Sequence, residues 1–421
     1  MEQVRQAFAL QVTPGVTPAQ IKETNVWLEK FQNTQEAWQV ADQLLAEGTA
    51  ESNAAAAARP EHIFAAQTMR VKIQYDWAEL PQAQHAALRT SLMQHVLRFG
   101  QGPNAVLRQL CLAVGVLALH MEDWHATIVT DLIQSLTQPP ETAASKLPCL
   151  LELLLVLPEE AENYKVNVVP RRRDNFRSML SAHSSQVLML LHQVCTQFQS
   201  QANTPSGEVV LNGMMKCVSS WMHYVAPENR EFQDALASLP LIPFGFSALA
   251  HKPLFDAASD LVVETVHFAA DSEARDEMVP KVLPSVLSLV PLYDAAVAAE
   301  DEESAKSYCR IFAEAGEQFL NVSRRHRRRG RRRRHRCRRR RRVALNARMP
   351  MCSCAHPLPS PPVLPRPHAT IRCCSRTRRS GRCPPRKPSC GVRGIPSPKW
   401  PRSPSTFGTC SRSRWRAAAA C

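Results

Sequence analysis

Apolar residues recur along the first three quarters of the chain at spacings of three and four. In EHIFAAQTMRVKIQYDWAELP, Ala65, Met69, Ile73 and Trp77 follow one another at every fourth position, and Pro81 closes the segment. A helix turning every 3.6 residues gathers such positions on one face, whereas a strand would need strict alternation. In TQEAWQVADQLLAE, Trp38, Ala41 and Leu45 share a face, and Thr34 stands where an N-cap hydroxyl would. SAKSYCRIFAEAGEQFL carries the stripe Tyr308, Ile311, Phe312, Ala315 and Phe319. PCLLELLLVLPEE is apolar nearly all round, which predicts a helix buried between neighbours. No convincing run of alternating β-branched residues appears before residue 322.

The predicted helices fall into pairs. Breaks stand at Pro81, Gly102-Pro103, Pro139-Pro140, Pro158, Pro205-Ser206-Gly207, Pro227 and Pro253. A paired period of roughly 40 to 50 residues matches HEAT- or armadillo-type solenoids, in which each helical pair buries its stripe against the next. Residues 1–322 are therefore expected to form an all-α solenoid of some six to seven units. A globular helical bundle is the competing reading, and the regular pairing argues against it.

Charge divides the chain at the same point. From Ser323 to Cys421 there are 30 Lys+Arg and no Asp or Glu, so the remaining 22 Lys+Arg face all 37 Asp+Glu, a net of about −15 for the body. Nine of the 14 cysteines also lie in the last 99 residues. The five others (Cys111, Cys149, Cys195, Cys217, Cys309) sit in apolar helical settings and read as reduced, buried thiols of an intracellular protein. The opening MEQVRQAFAL lacks the apolar core of a signal peptide. AVLRQLCLAVGVLAL, interrupted by Arg108 and Gln109, is too short to span a bilayer, so no membrane insertion is expected.

Several segments, taken in order, carry a family likeness. FAAQTMRVKIQYDWAELP, AWQVADQLL, LPCLLELLLVLPEE, AASDLVVETVH and SYCRIFAEAGEQFL together resemble the transportin-SR and importin-thirteen branch of the importin-β (karyopherin-β) nuclear transport receptors. The likeness runs from about residue 5 to residue 321 and covers well under half of the family's usual length. It implies a right-handed HEAT-repeat superhelix whose inner helices form a concave surface for cargo and for the GTPase Ran in its GTP form. Ran is expected on the N-terminal repeats, which are present here. Basic or Arg-Ser-rich cargo is expected on more C-terminal repeats, which are not. Nuclear pore proteins and shuttling between cytoplasm and nucleus follow from the same likeness. Independently of it, a long acidic groove would attract basic segments and repel nucleic acid.

Candidate GTPase contacts lie on the predicted inner helices: Trp38, Asp42 and Gln43 on the first and Arg89 on the second. Asp42 and Gln43 flank the apolar face, while Trp38 reads more as core. No catalytic motif emerges: there is no Walker-type phosphate loop, no GxGxxG after a strand, no GxSxG elbow and no HExxH. Neither an enzyme, a cofactor nor a metal is expected. His120, Glu122, Asp123 and His125 cluster in LALHMEDWHA, more as an exposed turn than as ligands. Glu159 and Glu160 after Pro158 read as solvating a helix start, or less readily as a carboxylate pair. Arg171 to Asp174 (RRRD) read as a helix start with its charges in water, or less readily as a contact to an acidic partner loop.

Residues 323–421 admit three readings. Fifteen arginines in the 19 residues Arg324–Arg342 would suit an RNA-binding or nuclear-targeting arm, and with it an RNA-associated protein. The absence of periodicity and of enough apolar residues suits a disordered extension. Ninety-nine residues without a carboxylate, beginning where the family likeness stops, suit an off-frame or intronic stretch, and this reading is preferred. A real tail would also be expected to act as a pseudo-cargo for an acidic groove. An exportin of the same superfamily and a plain HEAT scaffold remain alternatives for the body.

Overall fold

The structure, a computed structural model, describes residues 1–47, 59–101, 104–271 and 275–320, without the side chains of 275–277. The expectations for residues 323–421, and the break at Gly102-Pro103, lie outside the described residues. Among the described residues every regular element is a helix.

The helices alternate between two rows. One row holds α1 (Glu2–Val12), α3 (Glu36–Ala46), α5 (Gln82–Arg98), α7 and α8 (Glu122–His125, Ile128–Thr137), α10 (Pro170–Phe198), α12 and α13 (Arg230–Ser238, Leu241–Ala248), and α15 and α16 (Arg275–Leu287, Val290–Ala298). The other holds α2 (Pro18–Gln32), α4 (Pro60–Tyr75), α6 (Asn104–His120), α9 (Pro140–Ala161), α11 (Pro205–Tyr224), α14 (Phe255–Asp271) and α17 (302–320). This is an all-α HEAT-repeat solenoid. In the second row α4 packs along α6, α6 along α9, α9 along α11 and α11 along α14, whereas helices of the first row meet one another sparsely. A stack with unequal row spacing curves toward the tighter row, so the second row is the inner one.

The predicted stripes supply the core. Ala65, Met69 and Ile73 are buried, as are Ala41, Leu45, Tyr308, Ile311, Ala315 and Phe319. Thirteen residues of α6, including all from Leu110 to His120, are buried. That burial accounts for a sequence apolar on every face: α6 is enclosed by α4, α5 and α9.

Four local expectations change. Trp77 lies beyond α4, in a 3-10 turn at Trp77–Glu79. Thr34 does not cap α3; its hydroxyl donates to the Phe31 carbonyl, and Gln35 occupies the cap position. Thr17 instead forms a capping box with Gln20 at the start of α2. Pro158 does not divide a pair but lies inside α9, as does Pro148. Cys309 is exposed, while Cys111, Cys149, Cys195 and Cys217 are buried, with burial pushing the Cys149 and Cys195 thiols up to about 11. Met278–Ala298, across α15 and α16, is apolar and long enough by composition to cross a membrane, a stretch that sequence reading passed over. Here Met278, Val282, Val286 and Leu289 face the core, the packing of an outer-row pair.

Candidate partner-binding face

The inner row is laced together by polar side chains that span successive helices. Gln32 donates to the Thr68 hydroxyl at 3.0 Å, joining α2 to α4. Arg70 reaches from α4 to Gln109 on α6 and Glu160 on α9, both at 3.4 Å. Arg108 on α6 holds two carboxylates of α9, Glu152 at 2.8 Å and Glu159 at 2.6 Å. Farther along, His223 meets Glu264 at 3.1 Å, Arg310 donates to Asp260 at 2.6 Å, and His267 meets Glu314 at 3.1 Å. A groove of about 660 Å³ follows this face from Asn104 to Arg310 and is lined by both signs of charge.

The joint between α9 and α11 differs. Trp221 Nε1 donates to the Leu154 carbonyl and Ser220 Oγ to the Leu155 carbonyl, each at 2.9 Å and buried. Pro158 explains the first bond. Lacking an N–H, it cannot serve the carbonyl four residues earlier, which is that of Leu154. The indole of the next inner helix supplies the missing donor.

Glu159 and Glu160 therefore do not solvate a helix start. They lie in the last turn of α9, Glu160 buried at 2% exposure, and burial raises the carboxyl pKa of both. The RRRD island is likewise structural. Arg173 is 5% exposed and donates to the carbonyls of Ala161 at 2.7 Å and Val166 at 2.9 Å, with its guanidinium over the Tyr164 ring. Arg172 donates to the His120 carbonyl at 3.0 Å and to Glu122 at 3.2 Å. The two arginines thus close the C-terminal ends of α9 and α6, where carbonyls lack intrahelical donors. Only Arg171 and Asp174 stand in the solvent as expected.

The LALHMEDWHA cluster also changes meaning. Glu122 and Asp123 are exposed, but His120 is buried and stacks on Trp77 at 5.2 Å, with His85 on the same indole at 4.0 Å. Burial first, then the charges of Arg172 and His85, lower the His120 pKa to about 4. No group of three or more potential metal-binding side chains forms among the described residues.

The four proposed GTPase contacts sit elsewhere than expected. Trp38, Asp42 and Gln43 are on α3 and Arg89 is on α5, both in the outer row. Periodicity does not tell the two rows apart: α3 carries a clear apolar stripe and α5 a weak one, yet both stand in the outer row. Trp38 is 9% exposed, with Lys72 Nζ 5.6 Å over its ring. Arg89 lies 5.1 Å over the Trp124 ring. Gln43 is exposed. Asp42 accepts from Ser91 and from His95 Nε2, the latter at 2.9 Å. These three side chains have the composition of a hydrolytic triad, but Ser91 and Asp42 meet the same imidazole nitrogen, and a relay needs opposite ones. The cluster clips α3 to α5 and holds the Asp42 carboxyl below its usual range, chiefly through the His95 bond.

Sequence reading missed Arg70, Arg108 and Glu152. Glu152 stands alone in an apolar run, Arg108 adjoins Gln109 and Arg70 lies between Thr68 and Lys72, and only the stacking of helices about 40 or more residues apart in sequence, typical of such repeats, brings them together.

Comparison with known families sets this solenoid among relatives. Residues 24–98 match the importin-beta N-terminal domain and residues 103–262 match the exportin 1-like family. Transportin MOS14 of Arabidopsis thaliana is 31% identical over 305 residues, covering 70% of this chain and 29% of that protein. Importin-13 of Bos taurus is 31% identical and that of Homo sapiens 30% identical over 300 residues, each covering 69% of this chain and 28% of the relative. The chain spans less than a third of the length of these relatives. It belongs to the importin-β family, on its importin-13/transportin branch.

Proposed function

We propose that this chain acts in nuclear transport as a receptor segment that binds Ran-GTP through its N-terminal hairpins. The observation that carries this reading is the coincidence of the importin-beta N-terminal domain, residues 24–98, with hairpins whose inner helix α4 leaves Gln67 and Tyr75 exposed and bonds along the inner row through Arg70. Tyr75 is 61% exposed, unusual for a large ring on a helix otherwise built into the core. Gln43, Asp42 and Arg89 are proposed as flanking contacts from the outer row, with Trp38 as their support. Cargo would be protein with basic or Arg-Ser-rich segments, drawn to the acidic body. Its release would follow from competition between two ligands for states of one solenoid, with no bond chemistry. The chain would then pass between cytoplasm and nucleus and touch nuclear pore proteins.

Biolayer interferometry against Ran loaded with a non-hydrolysable GTP analogue or with GDP tests the reading. The expected result is binding selective for the GTP form, weakened by Tyr75→Ala with Arg70→Ala. Equal affinity for the two forms, or none, overturns it. The exportin 1-like match over residues 103–262 favours one second reading, an export receptor. Ran-GTP would then strengthen cargo binding, where an importer loses cargo.

A further inference from the structure

A cavity of about 800 Å³ opens at one rim of the solenoid, between the C-terminal ends of the inner helices α9 and α11 and the first turns of α10. Pro158, Val225 and Pro227 give it an apolar floor, and Tyr164 and Tyr224 give it aromatic walls. Tyr224 also lines the inner-face groove, so a chain laid along that groove passes its mouth.

Three features set the sign of charge that this cavity accepts. Helices of 22 and 20 residues end here, and their C-terminal dipoles favour a cation. Glu162, Asp174 and Glu228 line the cavity against a single cation, Arg177. Arg177 is committed to Glu162 through two bonds of 2.6 Å and to the Tyr164 hydroxyl at 2.9 Å. That leaves Glu228 exposed, and Asp174 68% exposed with one 3.3 Å contact to Arg177. The Tyr224 hydroxyl also has acidic surroundings: after burial, the charges of Glu159, Glu162 and Glu264, of which Glu162 lines this cavity, push its pKa up. The chain itself already places two guanidinium groups at this rim, Arg173 on the α9 carbonyls and Arg177 on Glu162. An acidic partner group would face two helix C-termini and three carboxylates, with Arg177, the lining cation, already engaged by Glu162.

We propose that this rim cavity receives one arginine or lysine side chain from a basic segment of a bound partner, seated over Tyr224 and between Asp174 and Glu228. The proposal rests on the receptor reading above and adds to it a defined subsite within the repeats present here. An arginine is the better fit, because its flat guanidinium can lie on a tyrosine ring while bonding to carboxylates at its edge.

Fluorescence anisotropy of a labelled Arg-Ser octapeptide on the full chain tests it. A charge-matched control is needed, since any acidic surface attracts such a peptide. The paired substitution Asp174→Asn with Glu228→Gln is compared with Glu302→Gln and Glu303→Gln, which remove the same charge from exposed positions on α17. The rim pair is expected to weaken binding about tenfold and the control pair less than about twofold, the difference corresponding to a seated charge and a distant one. Tyr224→Phe should retain the affinity and Tyr224→Ala should lose several-fold of it. Equal losses in the rim and control pairs would show attraction to the body as a whole and overturn the cavity assignment. Ran-GTP binding is read on the same variants. If the rim variants keep it while the peptide result is negative, the subsite alone fails; if even the unaltered chain lacks it, the receptor reading fails whatever the peptide does.

Discussion

His120 shows how far a residue's neighbours can change its chemistry. In sequence it ends an apolar run beside two carboxylates and a second histidine, the composition of a ligand cluster. In the fold it is packed flat against Trp77 and held neutral, its pKa lowered to about 4 by burial and by the charges of Arg172 and His85. The unfolded chain takes up a proton near pH 6.5 and the folded chain does not until the pH is well below that. The stability tied to this group is therefore fully present above pH 6.5 and is lost as the pH falls toward 4. The loss amounts to roughly 3 kcal/mol at most, from about 1.4 kcal/mol for each pH unit separating the two values. Urea midpoints between pH 7 and 4.5 should fall steeply for the native chain and less steeply for His120→Gln; parallel slopes would refute the assignment. Arg173 makes the same point with opposite charge. Nothing in RRRD distinguishes it from Arg171, yet Arg173 is 5% exposed and Arg171 lies in solvent. Helical phase separates the two, and the phase was readable, but the carbonyls that need a guanidinium belong to α9 and could not be read from the island itself.

At the level of elements, α9 and α11 are joined by a dependence between a proline and a tryptophan. Pro158 strips the Leu154 carbonyl of its donor, and Trp221 Nε1 replaces it in a buried setting. Trp221→Phe should therefore destabilise the chain through an orphaned carbonyl as well as through lost packing. In a Pro158→Ala background the backbone N–H is restored, so the same Trp221→Phe change should cost about 1 kcal/mol less. Chemical denaturation of the four proteins measures this coupling; additivity within a few tenths of a kcal/mol would mean that water or another group serves the carbonyl. The pairing explains why a proline mistaken for a helix break lies inside a helix. Most other element boundaries were legible because hairpin turns are marked by proline and glycine, as at Pro81, Pro139-Pro140 and Pro205. Which helix of each pair faces inward was not legible, since clear and weak apolar stripes occur in both rows. The four GTPase candidates, expected on inner helices, accordingly lie on α3 and α5 of the outer row.

At the largest scale, the described helices form a one-dimensional stack, so stability should vary along it. The middle helices α6, α9 and α11 each have inner-row neighbours on both sides and long runs of buried residues. At one end α16 has no buried residue although it is apolar, with Val290, Leu292 and Val297 each 41 to 51% exposed. α2 contributes only Leu28 to the core. Native-state hydrogen exchange should accordingly show slowest exchange in α6, α9 and α11 and a graded loss of protection toward α2 and α16. Uniform protection across the stack would indicate one cooperative unit. The repeat period and the acidic balance of residues 1–322 made this architecture visible from sequence, because each hairpin repeats the same need to bury a stripe against the next.

The lacing of the inner face has a consequence for how anything binds there. Arg70 with Glu160, Arg108 with Glu152 and Glu159, and Arg310 with Asp260 are already engaged before a partner arrives. A charge brought in by a partner must displace a resident of like sign, so association on this face is an ion exchange more than an addition. Such an exchange sheds fewer small ions into solution than the number of new contacts would suggest. The salt dependence of binding to this face will then undercount its contacts, and partners will be sorted by how well their charges are placed rather than by how many they carry.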